Sequence, residues 1–301
     1  MFQSINKIFY LIFSNQHKTI IGYDLVDSKK ISEIKNAHAE YISNLRHYLD
    51  KNNKKDYILS LSFKDSNIKI WDINSLEYII NLTNIYLNGY LFSACMFYDN
   101  NQNYIITCNY ELDSHNCNPI KIFDFEGNFI KDINNTSENT YFIDVYFDNK
   151  ESKNYILTGN YGHVKSYDYY NNSLYHIYND FNELSHNSIT INDNNEIIEL
   201  IESSLDGIRI WDFHSGTLLN KILECDGCLN GIRLWNHNYL FVCCDEGLIK
   251  LIDLKKNIII KSIDNESDEL LTVKTINLPN YGECLLSQSS GIEAIKIYGI
   301  R

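Results

Sequence analysis

His38, the hydroxyls of Ser60 and Ser62, and Asp65 lie close along the chain and have the side chains of a nucleophilic His-Asp-Ser set. In such a set the imidazole takes a proton from the hydroxyl while the carboxylate orients the ring. A second group invites a metal: Cys225-Asp-Gly-Cys228, followed by His237, Cys243 and Cys244. Cys-x-x-Cys is a zinc-ligand spacing. Cys243 and Cys244 are adjacent in a stretch that reads as a strand, so they point to opposite faces and at most one could join the pair. A redox pair would need a thioredoxin-like βαβ context, which the sequence lacks. Walker-type glycine loops, Gly-x-Ser-x-Gly and His-Glu-x-x-His are missing too. The expectation is no catalytic set, no metal and no cofactor.

The elements that would position these residues repeat along the chain. In Asp206-Gly-Ile-Arg-Ile-Trp-Asp-Phe-His-Ser-Gly-Thr-Leu-Leu219, Asp206-Gly207 signals a hairpin, and apolar residues alternate with polar ones on either side of a second turn. The unit recurs as Thr-Ile-Ile-Gly-Tyr23, Asn-Ile-Lys-Ile-Trp71, Pro-Ile-Lys-Ile-Phe123, His-Val-Lys-Ser-Tyr167, Gly-Ile-Arg-Ile-Trp211, Leu-Ile-Lys-Leu-Ile252 and Ala-Ile-Lys-Ile-Tyr298. Successive copies are 41 to 52 residues apart, and Asp follows in six of them: Asp24, Asp72, Asp124, Asp168, Asp212 and Asp253. Repeat two shows four strands most cleanly, near 43–48, 57–63, 68–73 and 78–82.

A period of roughly 40–45 residues with Trp-Asp dipeptides resembles WD40 propeller blades. The resemblance covers essentially the whole chain. It implies an all-β, seven-bladed WD40-type propeller of four-stranded antiparallel blades in one domain, 1–301. The repeat cores fall near 7–36, 37–84, 85–135, 136–180, 181–224, 225–265 and 266–301. The first and last blades are expected to be incomplete, with residues 1–5 the only material for the missing strands. The resemblance also implies a structural role for His38, Ser60, Asp65 and Trp71, a buried hydrogen-bonded group that fixes the blade. His186, Asp206 and Trp211 match it in part. That reading displaces the catalytic one, because the tryptophan blocks the site. The Phe-Arg-Arg-Gly of phosphoinositide-binding propellers and the Trp-Asp-x-Arg of ubiquitin-ligase receptors are absent; the chain has Gly231-Ile-Arg-Leu234, Trp71-Asp-Ile-Asn74 and Trp211-Asp-Phe-His214.

The totals bound the partners. Thirty-nine acidic residues outnumber 26 basic ones, a net charge of −13, whereas nucleic-acid binders show a basic stripe. Acidic surfaces also disfavour anionic membranes. No stretch approaches the roughly 18 apolar residues of a membrane span. The apolar run 8–13 is short, with no cleavage site after it, and fits a strand better than a signal peptide. Most of the eight cysteines fall on expected strands as small hydrophobes, pointing to a reducing, cytoplasmic setting. The expected partners are other proteins or peptide segments, not nucleic acid or membrane, with the chain a monomer or a subunit of a hetero-complex. The family's binding rim maps to Tyr41, Asn44, Tyr141, Asp144, His186, Asn187, Asn230 and Glu269. The expected function is a non-catalytic interaction scaffold. The alternatives are the propeller of a larger multi-domain or coat-complex protein and, less favoured, a channel enzyme using Asp144, Arg233 and Lys274.

Overall fold

The computed structural model describes residues 2–4, 9–14, 18–86, 90–110, 120–133, 138–180, 188–194, 196–204, 206–223, 229–244, 247–265, 270–289 and 295–300. Every regular element among them is a β-strand. The first sheet orders β1 (Phe2–Gln3), β2 (Phe9–Ser14), β3 (Ile20–Asp24) and β4 (Lys29–Ile34). The second orders β5 (Asn44–Asp50), β6 (Lys55–Ser62), β7 (Asn67–Asp72) and β8 (Tyr78–Leu82). The third has β9 (Tyr90–Asp99), β10 (Gln102–Tyr110), β11 (Ile120–Asp124) and β12 (Phe129–Ile133). The fourth has β13 (Thr140–Asp148), β14 (Lys153–Asn160), β15 (His163–Asp168) and β16 (Ser173–Asn179). The fifth has β17 (Ser188–Asp193), β18 (Ile198–Ser204), β19 (Gly207–Asp212) and β20 (Leu218–Ile222). The sixth has β21 (Leu229–Trp235), β22 (Tyr239–Cys244), β23 (Leu248–Asp253) and β24 (Ile258–Asp264). The last sheet has three strands, β25 (Leu270–Leu278), β26 (Gly282–Ser289) and β27 (Ile295–Gly299).

The fold is thus an all-β propeller of four-stranded antiparallel blades, six of them rather than the expected seven. The seventh repeat forms a three-stranded sheet. The missing outer strand of that last sheet agrees with the expectation, and the first blade, expected to lack a full inner strand, has only a short one. Phe2 and Gln3 pair with Tyr10 and Phe9, so a two-residue strand supplies the inner position. Residues 1–154 with 170–172 form one compact unit, and residues 155–169 with 173–301 form another.

The blades form where the sequence alternates, but several middle strands are buried on both faces where blades pack within a unit, as in β6 and β18. In the first unit, Leu59, Leu61, Ile68 and Ile70 of the second blade pack with Leu91, Ala94 and Ile105 of the third. In the second unit, Ile208 and Ile210 pack with Leu240, Val242 and Ile252. Burying one such side chain contributes roughly 1.5–3 kcal/mol.

The aspartates after the ring positions close the hairpin between third and fourth strands. Asp72 Oδ1 accepts from the amides of Asn74 (2.8 Å) and Ser75 (3.3 Å), and Asp212 Oδ1 from those of His214 (3.0 Å) and Ser215 (2.8 Å). Asp24, Asp124 and Asp253 do the same. These are Asx turns, in which a short carboxylate satisfies amides the ladder cannot reach. Gly207 is required where it stands: its φ is +134°, and a Cβ there would lie 2.4 Å from the Ile222 carbonyl oxygen of β20.

Candidate partner-binding rim

In the second blade, β6 and β7 place Ser60 opposite Lys69, and Trp71 two residues beyond. Trp71 Nε1 donates to Ser60 Oγ at 2.7 Å, and His38 Nε2 lies 2.8 Å from the same oxygen. His38 Nδ1 is 3.4 Å from Asp65 Oδ2, which also accepts from the Ala39 amide at 3.1 Å. The structure therefore brings His38, Ser60, Asp65 and Trp71 together. Ser60 is fully buried and His38 nearly so. Burial lowers the His38 pKa below its ordinary value, opposed by Asp65, so the ring is held neutral. Lys69 Nζ donates to the Ala37 carbonyl oxygen at 2.7 Å.

That lysine is a feature the sequence reading passed over, although Lys or Arg stands two residues before the ring position in six repeats. It recurs structurally. Lys121 Nζ donates to the Ile85 carbonyl oxygen at 2.8 Å, beside Tyr86, whose hydroxyl meets Thr107 Oγ1 at 2.9 Å. Lys296 Nζ reaches the Asn265 carbonyl oxygen, while Ser287 Oγ and Tyr298 OH donate to Asn265 Oδ1 at 2.7 and 2.6 Å. Each slot uses a strand hydroxyl, a facing lysine and a polar residue from the incoming segment.

The fifth blade fills the slot differently. Glu202 stands at the Ser60 position and Arg209 at the Lys69 position. The buried Arg209 guanidinium donates to Asp180 Oδ2 (2.9 Å), to Ser204 Oγ (2.7 Å) and to both Asp206 oxygens (3.0 and 2.7 Å), with Glu202 Oε1 at 3.7 Å. Lys221 also pairs with Asp180. Burial pushes the Asp206 and Asp180 carboxyls up, but hydrogen bonds from the cations and Ser204 more than offset it, leaving both below the usual range. Trp211 Nε1 has no partner among the described residues. His186 lies outside the described residues.

The rim is set by strand register. β5 and β9 begin where β6 and β10 end, since Asn44 pairs with Leu61 and Tyr90 with Tyr110. Aromatic side chains meet at this end. Phe63 stacks on Tyr90 (centroids 4.6 Å, planes 8° apart) and meets Phe92 edge-on at 5.8 Å. Tyr141 meets Phe92 at 5.4 Å and Tyr110 at 5.7 Å. All five rings are partly exposed. Beside them, Arg46 lies over Phe142 (5.3 Å), pairs with Asp144 (3.5 Å) and reaches Ser93 Oγ (3.4 Å). Tyr41 is exposed, with the Lys64 ammonium 5.8 Å from its ring. Asn44 is partly exposed at the start of β5.

The structure thus gathers Tyr141 and Asp144 with four rings the sequence reading missed, Phe63, Tyr90, Phe92 and Tyr110. Their signal was position: each falls at or near a strand end. Asn187 and Glu269 lie outside the described residues, as does the Asn230 side chain. Cys225 and Cys228 lie outside them too. Cys243 and Cys244 are buried neighbours on β22. Of the channel-enzyme set, Arg233 Nε meets Thr275 Oγ1 at 3.4 Å, and Lys274 is exposed. Among the described residues, no helix is long and apolar enough to cross a membrane. No protein-family model matches this sequence, and the curated proteins include no match to it.

Proposed function

We propose that this chain is a non-catalytic interaction platform of the WD40 type that docks a peptide segment of a partner protein on the rim formed by Phe63, Tyr90, Phe92, Tyr110 and Tyr141. The observation that carries the reading is the partly exposed aromatic cluster with the Arg46–Asp144 pair at its side. Tyrosine and arginine dominate binding hot spots because each offers apolar area and a polar handle together. The rings also pack neighbouring blades against one another, so the surface is ordered before a partner arrives and little entropy is lost on docking. The His38–Ser60–Asp65–Trp71 group is read as fixing its blade. Its hydroxyl is enclosed between an indole and an imidazole, with no opening for a substrate carbonyl.

Affinity capture with quantitative mass spectrometry tests the rim. Tyr141→Ser should reduce recovery of a specific partner by about tenfold or more, the loss expected for one hot-spot side chain, while Tyr281→Ser should leave it unchanged. Equal recovery by wild type and Tyr141→Ser, with both proteins folded, would remove the rim from consideration.

A further inference from the structure

The last sheet ends on β27, which pairs with β26 and has no fourth strand among the described residues. The Ile300 amide donates to the Glu283 carbonyl oxygen at 2.8 Å. Amides alternate along a strand, so those of Lys296 and Tyr298 also face β26, while those of Ile295, Ile297 and Gly299 face outward. The other blades agree: the amides of Asp72, Asp124 and Asp212, at the position of Gly299, donate toward the segment leading into the fourth strand. The side chains agree as well. Ile297 is 50 % exposed, whereas its counterparts Ile70, Ile122 and Ile210 are 0 %, 0 % and 3 % exposed.

Six fourth strands show what covers this edge. Each carries an apolar residue, two variable residues and a second apolar residue: Ile31-Ser-Glu-Ile34, Ile79-Ile-Asn-Leu82, Ile130-Lys-Asp-Ile133, Tyr175-His-Ile-Tyr178, Leu219-Asn-Lys-Ile222 and Ile260-Lys-Ser-Ile263. In all six the first of these is the extra residue of a β-bulge just before the ring position. The second stands opposite the residue that corresponds to Ile295, and in four blades it is buried: Leu82, Ile133, Tyr178 and Ile222. The shared bulge fixes register, and the closing apolar residue supplies the burial.

We propose that the outer edge of β27 receives an extended segment of a partner protein bearing this apolar-x-x-apolar pattern, antiparallel to Ile295–Gly299. Three outward amides would give it main-chain hydrogen bonds, and Ile295 would cover its closing apolar residue, the physics of strand addition. This surface is separate from the aromatic rim, and either can fail without the other.

Hydrogen exchange on the full chain tests it, with a synthetic peptide of the β20 region, Thr-Leu-Leu-Asn-Lys-Ile-Leu, as the probe. The amides of Ile295, Ile297 and Gly299 should exchange freely in the chain alone and slow by about tenfold when free peptide reaches roughly nine times its dissociation constant. A peptide with Asp in place of its isoleucine should give no slowing. Three results would overturn the proposal. One is protection in the chain alone equal to that of β19. Another is slowing by both peptides alike or by neither. The third is protection in the chain alone that vanishes when residues 1–5 are deleted; Phe2-Gln-Ser-Ile5 carries the same pattern, and that result would assign the edge to the chain's own amino-terminal segment.

Discussion

The second and fifth blades share a backbone slot and fill it with opposite chemistry. In the second, a serine hydroxyl bonds an indole and an imidazole, and the lysine turns away to a backbone carbonyl. In the fifth, a glutamate takes the serine's place, and its buried charge is matched by an arginine that also gathers Asp180 and Asp206. The indole nitrogen of Trp211 is left without a partner among the described residues. Two facing exchanges, Ser to Glu and Lys to Arg, thus accompany the change from a hydroxyl-centred hydrogen-bonded group to an ionic one. The tryptophan ring is buried in both, while among the described residues its N–H is used only in the second.

The largest expected effect comes from removing Arg209. Its side chain and that of Glu202 are each 1 % exposed. Taking one partner from a buried ionic group costs roughly 3–5 kcal/mol, because the remaining charge is left uncompensated. Arg209→Leu should lower the urea midpoint accordingly. A loss under about 1 kcal/mol would mean that water reaches the carboxylates and the group is no buried ionic core.

A smaller, sharper test sets the tryptophans against each other. Trp71→Phe and Trp211→Phe remove similar volume, but among the described residues only the first breaks a hydrogen bond. Trp71→Phe should cost about 1–3 kcal/mol more, since the buried Ser60 hydroxyl loses the indole N–H that it shares with His38. Equal losses would show that the Trp71–Ser60 bond adds nothing beyond packing.

The smallest effect is in pH. The folded-state pKa of His38 is lowered, so the unfolded chain binds its proton more readily. The associated stability is fully present above the unfolded histidine pKa of about 6.5 and declines as pH falls below it. The Asp180 and Asp206 carboxyls are lowered too, and their contribution is lost only as pH falls below about 3.9. Between pH 7.5 and 5, wild type should lose more stability than His38→Gln. His47, also lowered by burial, contributes to both and cancels in the difference. Parallel pH profiles for the two proteins would contradict a neutral buried His38.

Much of the second blade was legible in the sequence, since Trp71 and His38 are of rare types and Trp71-Asp72 falls at the repeat spacing. The fifth was less so. Asp206-Gly207 correctly marked a hairpin, but Arg209 looked like a solvated strand residue, and only the fold shows it facing Glu202. The blade count failed at the ends. The seventh repeat was expected to lack its outer strand, but it was still counted as a blade because its third strand, Ala-Ile-Lys-Ile-Tyr298, matches the others. The rim was half legible. Tyr141 and Asp144 fell at the right strand start, while Phe63, Tyr90, Phe92 and Tyr110 read as ordinary strand aromatics until neighbouring blades brought them together.

The most direct test of the platform reading is site-specific photocrosslinking in the protein's own cells, with benzoylphenylalanine at position 141 and, as control, at position 281. Tyr281 is 72 % exposed and lies away from the aromatic cluster in sequence. The account predicts a discrete protein adduct from position 141 that position 281 does not give, mapping on the partner to one short segment. The same adducts from both positions, or none from 141 under conditions where the probe is active, would contradict docking at the rim.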